Sequence, residues 1–331
     1  MRRDARLLVV LAALVAALAM ASLLTGPAGA GPRAGLQALW TGEGPLGIVL
    51  REIRAPRTVL AIMVGASLGL SGAALQGYLR NPLAEPGLIG ISASAALGAV
   101  IAIQAGVSAL ALGVPFAALG GALGGVALIL GLAGRRAGGL GLILGGIAVS
   151  ALAGALTALV LNLSPNPFAA YDIMFWTMGS LADRSWGHVL TAAPLMLAGW
   201  LALARTGRDL DALSLGEEAA ASMGVNLPRL RLAVVLGSAA AVGAATAVAG
   251  AIGFVGLVVP HATRIVLGPA HRRAVVVAPL VGALFMVWVD LLSRVAVPPR
   301  ELPLGVVTAL IGVPVFLVLM RRAGYVFGGS R

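Results

Sequence analysis

Long apolar runs separated by short polar connectors dominate this chain of 331 residues. A helix of roughly 20 residues crosses a hydrocarbon core about 30 Å thick, so each run predicts one membrane-spanning helix. The pattern predicts ten spans, near residues 7–24, 58–79, 88–110, 113–133, 140–161, 189–204, 231–250, 254–267, 274–292 and 304–320. We therefore predict an all-α, polytopic membrane protein in which residues 1–331 form a single transmembrane domain.

Two of these spans need a separate argument. Residues 88–133 carry no charge and are too long for one helix, so the Gly-Val-Pro sequence at 113–115 is taken to divide them. The eighth span is short and contains Pro260 and His261. We assign these two residues a structural, helix-breaking role, and we expect neighbouring helices to satisfy the freed backbone groups.

The amino-acid composition excludes several classes of catalytic chemistry. Hydrophobic residues make up 60% of the chain and charged residues 11%, all 23 basic residues are arginine, and cysteine is absent. Without lysine there is no P-loop phosphate site or Schiff base, and without cysteine there is no disulfide or thiolate chemistry. No spacing suggests a catalytic triad, a carboxylate pair or a metal-ligand cluster. We predict a membrane protein that is not an enzyme, with no catalytic residues, no metal and no cofactor of its own.

The arginines are distributed unequally between the two sides that ten spans define. Sixteen lie on the side of both termini, and seven lie on the other: Arg33, Arg51, Arg54, Arg57, Arg184, Arg294 and Arg300. By the positive-inside rule the richer side is cytoplasmic, and the net charge of +11 indicates membrane topology rather than a nucleic-acid partner. A cleaved signal peptide over residues 1–30 is the alternative to a retained first span, but it would leave an odd number of spans.

The segment 206–230 is a long charged island on the predicted cytoplasmic side. Ser214 followed by Glu217 has the spacing of a capping box, and Gly224 is placed to end that helix with a left-handed residue. Asn226 then begins a second short helix. A compact helix-turn-helix exposed to water between two spans predicts a docking surface for another protein.

A second basic cluster lies on the predicted outer side, where topology does not require one. Arg51, Arg54 and Arg57 recur every three residues before the second span, and Arg294 and Arg300 follow the ninth. These cations either anchor lipid headgroups or receive the carboxylates of an external partner. Asp290, four residues before Arg294, predicts an ion pair within one helix.

Two segments rich in glycine and proline indicate tight helix packing or backbone that lines a cavity. They cover residues 71–90 and 249–264 and suggest an inverted repeat of spans 2–5 and 7–10. Asn81 and Pro82 form the turn of the first segment and are assigned a structural role. Gln76 faces either a partner helix, as a satisfied core residue, or water along a pathway.

Five blocks of this chain together resemble the permease subunits of type II ABC importers for iron-siderophores, haem and cobalamin. The matching blocks are residues 54–57, 71–90, 213–225, 250–264 and 301–314. Their order and spacing agree from about residue 50 to the C-terminus. The resemblance implies a homodimer in the cell inner membrane, with two ATPase subunits that bind ATP and Mg²⁺ below it and a periplasmic substrate-binding protein above it.

The resemblance also implies residue roles. The residues of the predicted ATPase-coupling surface are Leu213, Ser214, Leu215, Gly216, Glu217, Glu218, Ala219, Met223 and Gly224. Binding-protein docking falls on Arg54, Arg57 and Arg294. The pathway follows helices 140–161 and 304–320, with Gln76 and the constriction Ala137, Gly138 and Gly139 as pathway or gate residues. Relatives often carry hydroxylated side chains at that constriction, and this chain does not.

The transported compound is the least constrained expectation. The external loop 175–181 is more similar to haem permeases than to cobalamin permeases, which ranks haem first, a ferric siderophore second and cobalamin third. A proton- or sodium-coupled carrier is an alternative, although Asp290 is the single carboxylate inside a predicted span. A structural membrane subunit without transport activity is a further alternative.

Overall fold

The computed structural model of the protein describes residues 2–26, 31–107, 110, 112–133, 139–164, 167–297 and 300–322. These residues form helices joined by turns, and every predicted span coincides with an apolar helix. The helices are α1 (Arg2–Leu24), α2 (Pro32–Thr41), α3 (Gly44–Ile48), a π-helix (Val49–Arg54), α4 (Ala55–Tyr78), a 3-10 helix (Pro86–Ile89), α5 (Ile91–Gln104), α6 (Gly113–Ala133), α7 (Gly139–Asn162), α8 (Pro167–Met178), α9 (Trp186–Ala204), α10 (Gly207–Leu213), α11 (Glu217–Ser222), α12 (Leu227–Ala249), α13 (Val255–Leu267), α14 (His271–Val295) and α15 (Leu304–Arg322).

In the part of the chain that the structure describes, seven helices are long and apolar enough to cross a membrane, whereas α5, α13 and the stretch Leu304–Val318 of α15 are shorter. At 1.5 Å per residue, α5 and α13 rise only about 20 Å, so their connectors must enter the hydrocarbon layer. The short helices α5 and α13 come after the long helices α4 and α12, respectively. This recurrence agrees with the internal repeat that the sequence suggests, while its inverted symmetry stays a prediction.

The centre of the bundle is formed by α4 and α12. Within their apolar stretches 89% and 78% of residues are buried, whereas the corresponding fractions are 11% for α1 and 17% for α7. Glycine allows the central helices to approach closely: an added Cβ at Gly65 would overlap the carbonyl of Gly282, and the reverse also holds. Helix α14 is therefore in backbone-to-backbone contact with the central helix α4.

Several sequence-based boundaries are wrong. Among its described residues the third span is α-helical only over Ile91–Gln104, and α13 runs through Pro260 and His261 without a break. Residues 175–178, expected in a loop, belong to α8. The structure also contains α2, α3 and the π-helix before α4. The sequence pattern does not predict these three elements, because they are short and have weak apolar periodicity.

Candidate coupling, docking and pathway sites

The charged island forms a helical hairpin of α10 and α11 followed by the start of α12. The capping-box prediction is wrong: the residue that precedes α11 is Gly216, with φ of 112°, and no side chain caps this helix. Ser214 instead ends α10, and its hydroxyl donates a hydrogen bond to the carbonyl of Asp211 at 2.6 Å. The serine satisfies a carbonyl of the preceding helix, which competes with capping the next one.

The other end of α11 agrees with the sequence. Gly224 has φ of 87°, its N–H bonds the carbonyl of Ala221 at 2.9 Å, and the N–H of Val225 bonds the carbonyl of Ala220 at 3.0 Å. This pair of bonds is the Schellman motif, which favours glycine at the left-handed position. Asn226 also caps a helix, because its side chain accepts from the N–H of Arg229 at 3.0 Å. The helix that it caps is α12, a long span, and not the predicted second short helix.

The hairpin has one buried side and one exposed side. Leu213 and Ala220 are buried and hold it against the bundle. The predicted coupling residues that are exposed or half-buried are Ser214, Leu215, Gly216, Glu217, Glu218, Ala219, Met223 and Gly224. Leu215 is 68% exposed and Met223 is 65% exposed. Two large apolar side chains beside two carboxylates form a surface suited to another protein.

Gln76 lies in the contact between α4 and α13. It is 2% exposed, and its side-chain N–H₂ donates to the carbonyls of Gly256 at 3.4 Å and Leu257 at 3.3 Å. Pro260 has no N–H to give the carbonyl of Gly256 four residues earlier, so Gln76 supplies the missing donor. Its carbonyl oxygen accepts from Arg264. This is the satisfied core residue that the sequence left open, and its pathway role stays a prediction.

The turn after α4 is closed by backbone and side-chain bonds. Arg80 has φ of 48°, its N–H bonds the carbonyl of Gly77, and the N–H of Asn81 bonds the carbonyl of Gln76 at 3.2 Å. The side chain of Asn81 accepts from the N–H of Leu83 at 2.9 Å. Proline at position 82 follows without needing a donor. The two residues therefore sit in a tight turn, as their assigned structural role requires.

The predicted gate is only partly described. Ala137 and Gly138 lie outside the described residues, and Gly139 is the first residue of α7. A Cβ added to Gly139 would lie 3.2 Å from the side chain of Leu79, at the end of α4. The start of α7 is therefore packed against the same turn that contains Asn81.

Three arginines of the predicted outer side are buried or half-buried and bonded within the chain: Arg54, Arg57 and Arg294. Arg57 is 8% exposed, and its guanidinium contacts Asp290 at 2.8 Å and Glu301 at 2.9 Å. Arg294 pairs with the same aspartate at 3.1 Å, which confirms the predicted i,i+4 ion pair. Arg54 donates to the carbonyl of Leu23 at 2.9 Å. We refer to Arg54, Arg57, Arg294, Asp290 and Glu301 as the outer ion cluster.

The outer ion cluster joins four parts of the chain. Arg294 donates to the carbonyls of Ser22 and Thr25 at the end of α1, and also to the Ser22 hydroxyl. Asp290 is fully buried, whereas the side chain of Glu301 is 39% exposed. Arg54, Arg57 and Arg294 already bond groups of this chain, so they are not free to bind an external partner directly.

A cavity of about 970 Å³ opens beside the outer ion cluster. Its wall includes the aromatic side chains of Tyr171 and Trp176 and the cations Arg184 and Arg300. Burial lowers the pKa of the Arg184 guanidinium, and the adjacent Asp183 carboxylate opposes that shift. The Arg184 Nε also donates to the carbonyl of Val248 at 2.6 Å. The cavity has the size of an organic-ligand site, and its wall combines aromatic groups with both cations and carboxylates, the latter from Asp172, Asp183 and Glu301.

Comparison with known proteins decides the family. A profile of the FecCD transport family matches residues 13–322. The chain belongs to the FecCD transport family. It is 39% identical to the Fe(3+) dicitrate transport system permease protein FecD of Escherichia coli, over 83% of this chain and 85% of that one. It is 40% identical to the hemin transport system permease protein HmuU of Yersinia pestis, over 82% of each.

Other FecCD-like relatives differ in what they carry. The chain is 41% identical to the cobalamin import system permease protein BtuC of Halobacterium salinarum, over 83% of this chain and 73% of that one. A solved structure of an inward-facing, metal-chelate type ABC transporter superposes with a TM-score of 0.85 at 33% identity, covering 96% of this chain and 99% of that one. The protein is thus a multi-pass membrane permease of the ABC importer class, and overall identity does not separate the substrates.

Proposed function

We propose that this chain is the membrane subunit of an ATP-driven importer that moves an iron chelate, with haem as the preferred substrate, into the cytoplasm. It works as a homodimer in the cell inner membrane, with two ATP-binding subunits on the hairpin side and a substrate-binding protein on the outer side. Both termini lie in the cytoplasm. The observation that carries this proposal is the exposed hairpin of α10 and α11 on the arginine-rich side.

The exposed side of the hairpin has the properties of a surface that an ATPase subunit binds. Leu215 and Met223 would each gain about 1.5–3 kcal/mol on full burial in a partner groove. Glu217 and Glu218 occupy the first turn of α11, where the positive end of a helix favours carboxylates. Because the chain contains no lysine, ATP and Mg²⁺ would be held by the partner subunit.

Docking of the binding protein is proposed at the outer ion cluster. The cluster contains three arginines and two carboxylates, so it carries a net positive charge and attracts an acidic surface. Glu301 is the member most accessible to exchange, because its side chain is 39% exposed. Exposed Arg51 and Arg300 extend the positive surface on both sides of the cluster.

Two features support haem as the first-ranked substrate. The outer cavity has aromatic walls and two arginines, which suit a flat tetrapyrrole that carries carboxylates, beside the acidic side chains of Asp172, Asp183 and Glu301. The proposed pathway helices α7 and α15 expose mainly apolar side chains, which pass a large ligand without binding it tightly. A ferric siderophore ranks second and cobalamin third.

Transport couples two equilibria: closure of the ATPase subunits on ATP, and exchange of the permease between two conformations. Closure of the ATPase subunits on ATP displaces the hairpin, and the permease alternates between outward-open and inward-open packings. The free energy comes from the differential binding of nucleotide, so the transported compound is not chemically changed.

The test is uptake into vesicles that contain the permease, its ATPase and its binding protein. We expect ATP-dependent accumulation of haem that persists when ionophores collapse the ion gradients, and weaker competition from a ferric siderophore than from haem itself. Uptake that requires an ion gradient would identify a secondary carrier. Uptake of cobalamin but not of haem would support an ATP-driven importer with cobalamin as its substrate. If no chelate were taken up, the protein would be assigned as a structural membrane subunit.

A charge reversal tests the coupling surface. Glu217→Arg places a cation at the positive end of α11 and removes a carboxylate from the surface, so we expect loss of ATP-dependent uptake with normal membrane insertion. The matched control is Glu43→Arg, which reverses an exposed carboxylate on the outer side. Normal uptake by the Glu217 variant would argue strongly against the coupling role.

A further inference from the structure

The N-terminus of α14 is capped by a residue from another helix. Ala270 precedes α14 and provides no side-chain cap. The carboxylate of Asp211, in α10, accepts from the N–H of His271 at 2.6 Å and from the N–H of Arg272 at 3.2 Å. Free N–H groups and a partial positive charge mark the start of every helix, and an acidic acceptor satisfies both. Asp211 therefore links the hairpin directly to α14.

A second contact strengthens this link. Gly207 lies one turn before Asp211 on the same face of α10, and a Cβ at position 207 would come within 3.0 Å of the Cα of Arg272. The hairpin thus touches the start of α14 by a close backbone approach as well as by a charged cap. A displacement of α10 toward or away from the bundle must either carry α14 with it or break both contacts.

The other end of α14 lies in the outer ion cluster. Asp290, near the C-terminal end of this helix, is fully buried and holds Arg57 and Arg294. The 25 residues of α14 extend over about 37 Å. Along this length α14 is fitted to α4 through Gly65 and Gly282, so the two helices cannot slide past each other without a clash. One continuous helix therefore connects the hairpin with the outer ion cluster.

We propose that Asp211 is a positioning residue for transport: it fixes the hairpin to α14 so that hairpin movement reaches the outer ion cluster. The proposal rests on the proposed function, since it assumes that an ATPase moves the hairpin. It assigns to Asp211 a role separate from contact with the ATPase, which falls on the exposed side of the hairpin.

The test compares three variants of the full complex reconstituted in lipid: Asp211→Ala, Asp211→Asn and Asp209→Ala. Asparagine retains an acceptor oxygen and is as good a cap as aspartate, whereas alanine removes the cap. Asp209 is the matched control, an acidic residue of the same helix. We expect ATP hydrolysis stimulated by the binding protein to fall about fivefold in Asp211→Ala, the factor for loss of one cap, with rescue in Asp211→Asn.

A distance measurement separates positioning from simple loss of structure. The chain has no cysteine, so spin labels can be attached to cysteines placed at exposed Arg208 in α10 and exposed Val276 in α14. We expect the interspin distance to be unaffected by ATP when Asp211 is present, and to change or broaden on ATP binding in Asp211→Ala.

Several results would overturn this proposal. Wild-type coupling in Asp211→Ala, an equal loss in Asp209→Ala, or a failure of Asp211→Asn to restore coupling would each do so. Dissociation of the ATPase from Asp211→Ala would also do so, because it would place this residue in the ATPase contact. By contrast, absence of ATP-dependent uptake in the wild-type complex would reject the proposed function itself.

Discussion

Replacing Gln76 by leucine tests the contact that lets a proline sit inside α13. The change keeps the side chain similar in size but replaces its amide by an apolar group, which removes the donor for the carbonyls of Gly256 and Leu257 in a site that is 2% exposed. A buried carbonyl without a donor costs about 1–3 kcal/mol, and Arg264 also loses an acceptor. We expect Gln76→Leu to lower the free energy of unfolding by about 3 kcal/mol.

A double-mutant cycle combines Gln76→Leu with Pro260→Ala. The alanine supplies the N–H that the carbonyl of Gly256 lacks. If the missing proline N–H is the reason for the Gln76 contact, the double variant should recover about 1–2 kcal/mol relative to the sum of the single changes. The assay is unfolding by sodium dodecyl sulfate in mixed micelles, followed by tryptophan fluorescence. Additivity of the two changes within about 0.5 kcal/mol would refute the reasoning.

The remaining predictions concern the outer ion cluster and the contact between α4 and α14, in the same unfolding assay. Arg57→Gln leaves the buried Asp290 with less compensation and should cost about 3–5 kcal/mol, whereas Glu301→Gln, at a 39% exposed side chain, should cost less than about 1 kcal/mol; equal losses would contradict this ranking. Gly65→Ala should cost about 1–3 kcal/mol because its Cβ overlaps a carbonyl of α14. Its control, Gly124→Ala, meets open space and should be neutral or stabilising; similar losses at both glycines would indicate a general effect of the glycine change.

The spans and the local caps were determined by the sequence. Apolar runs of sufficient length have no alternative to a helix in lipid, because every backbone group must be satisfied within the segment. The caps at Gly224 and Asn226 depend on residues at most a turn away, and both are present in the structure. The cap at Ser214 failed because a hydroxyl can satisfy either the helix before it or the helix after it.

Partners distant in the chain were decided by the tertiary structure alone. Arg57 meets Asp290 across 233 positions, Gln76 meets Gly256 across 180, and Asp211 meets His271 across 60. Apolar helices have many energetically similar ways to pack in lipid, and the choice depends on where small residues allow backbones to touch. The sequence could thus locate the charged and polar groups along the membrane normal, but which of them pair was fixed by the packing of the helices that carry them.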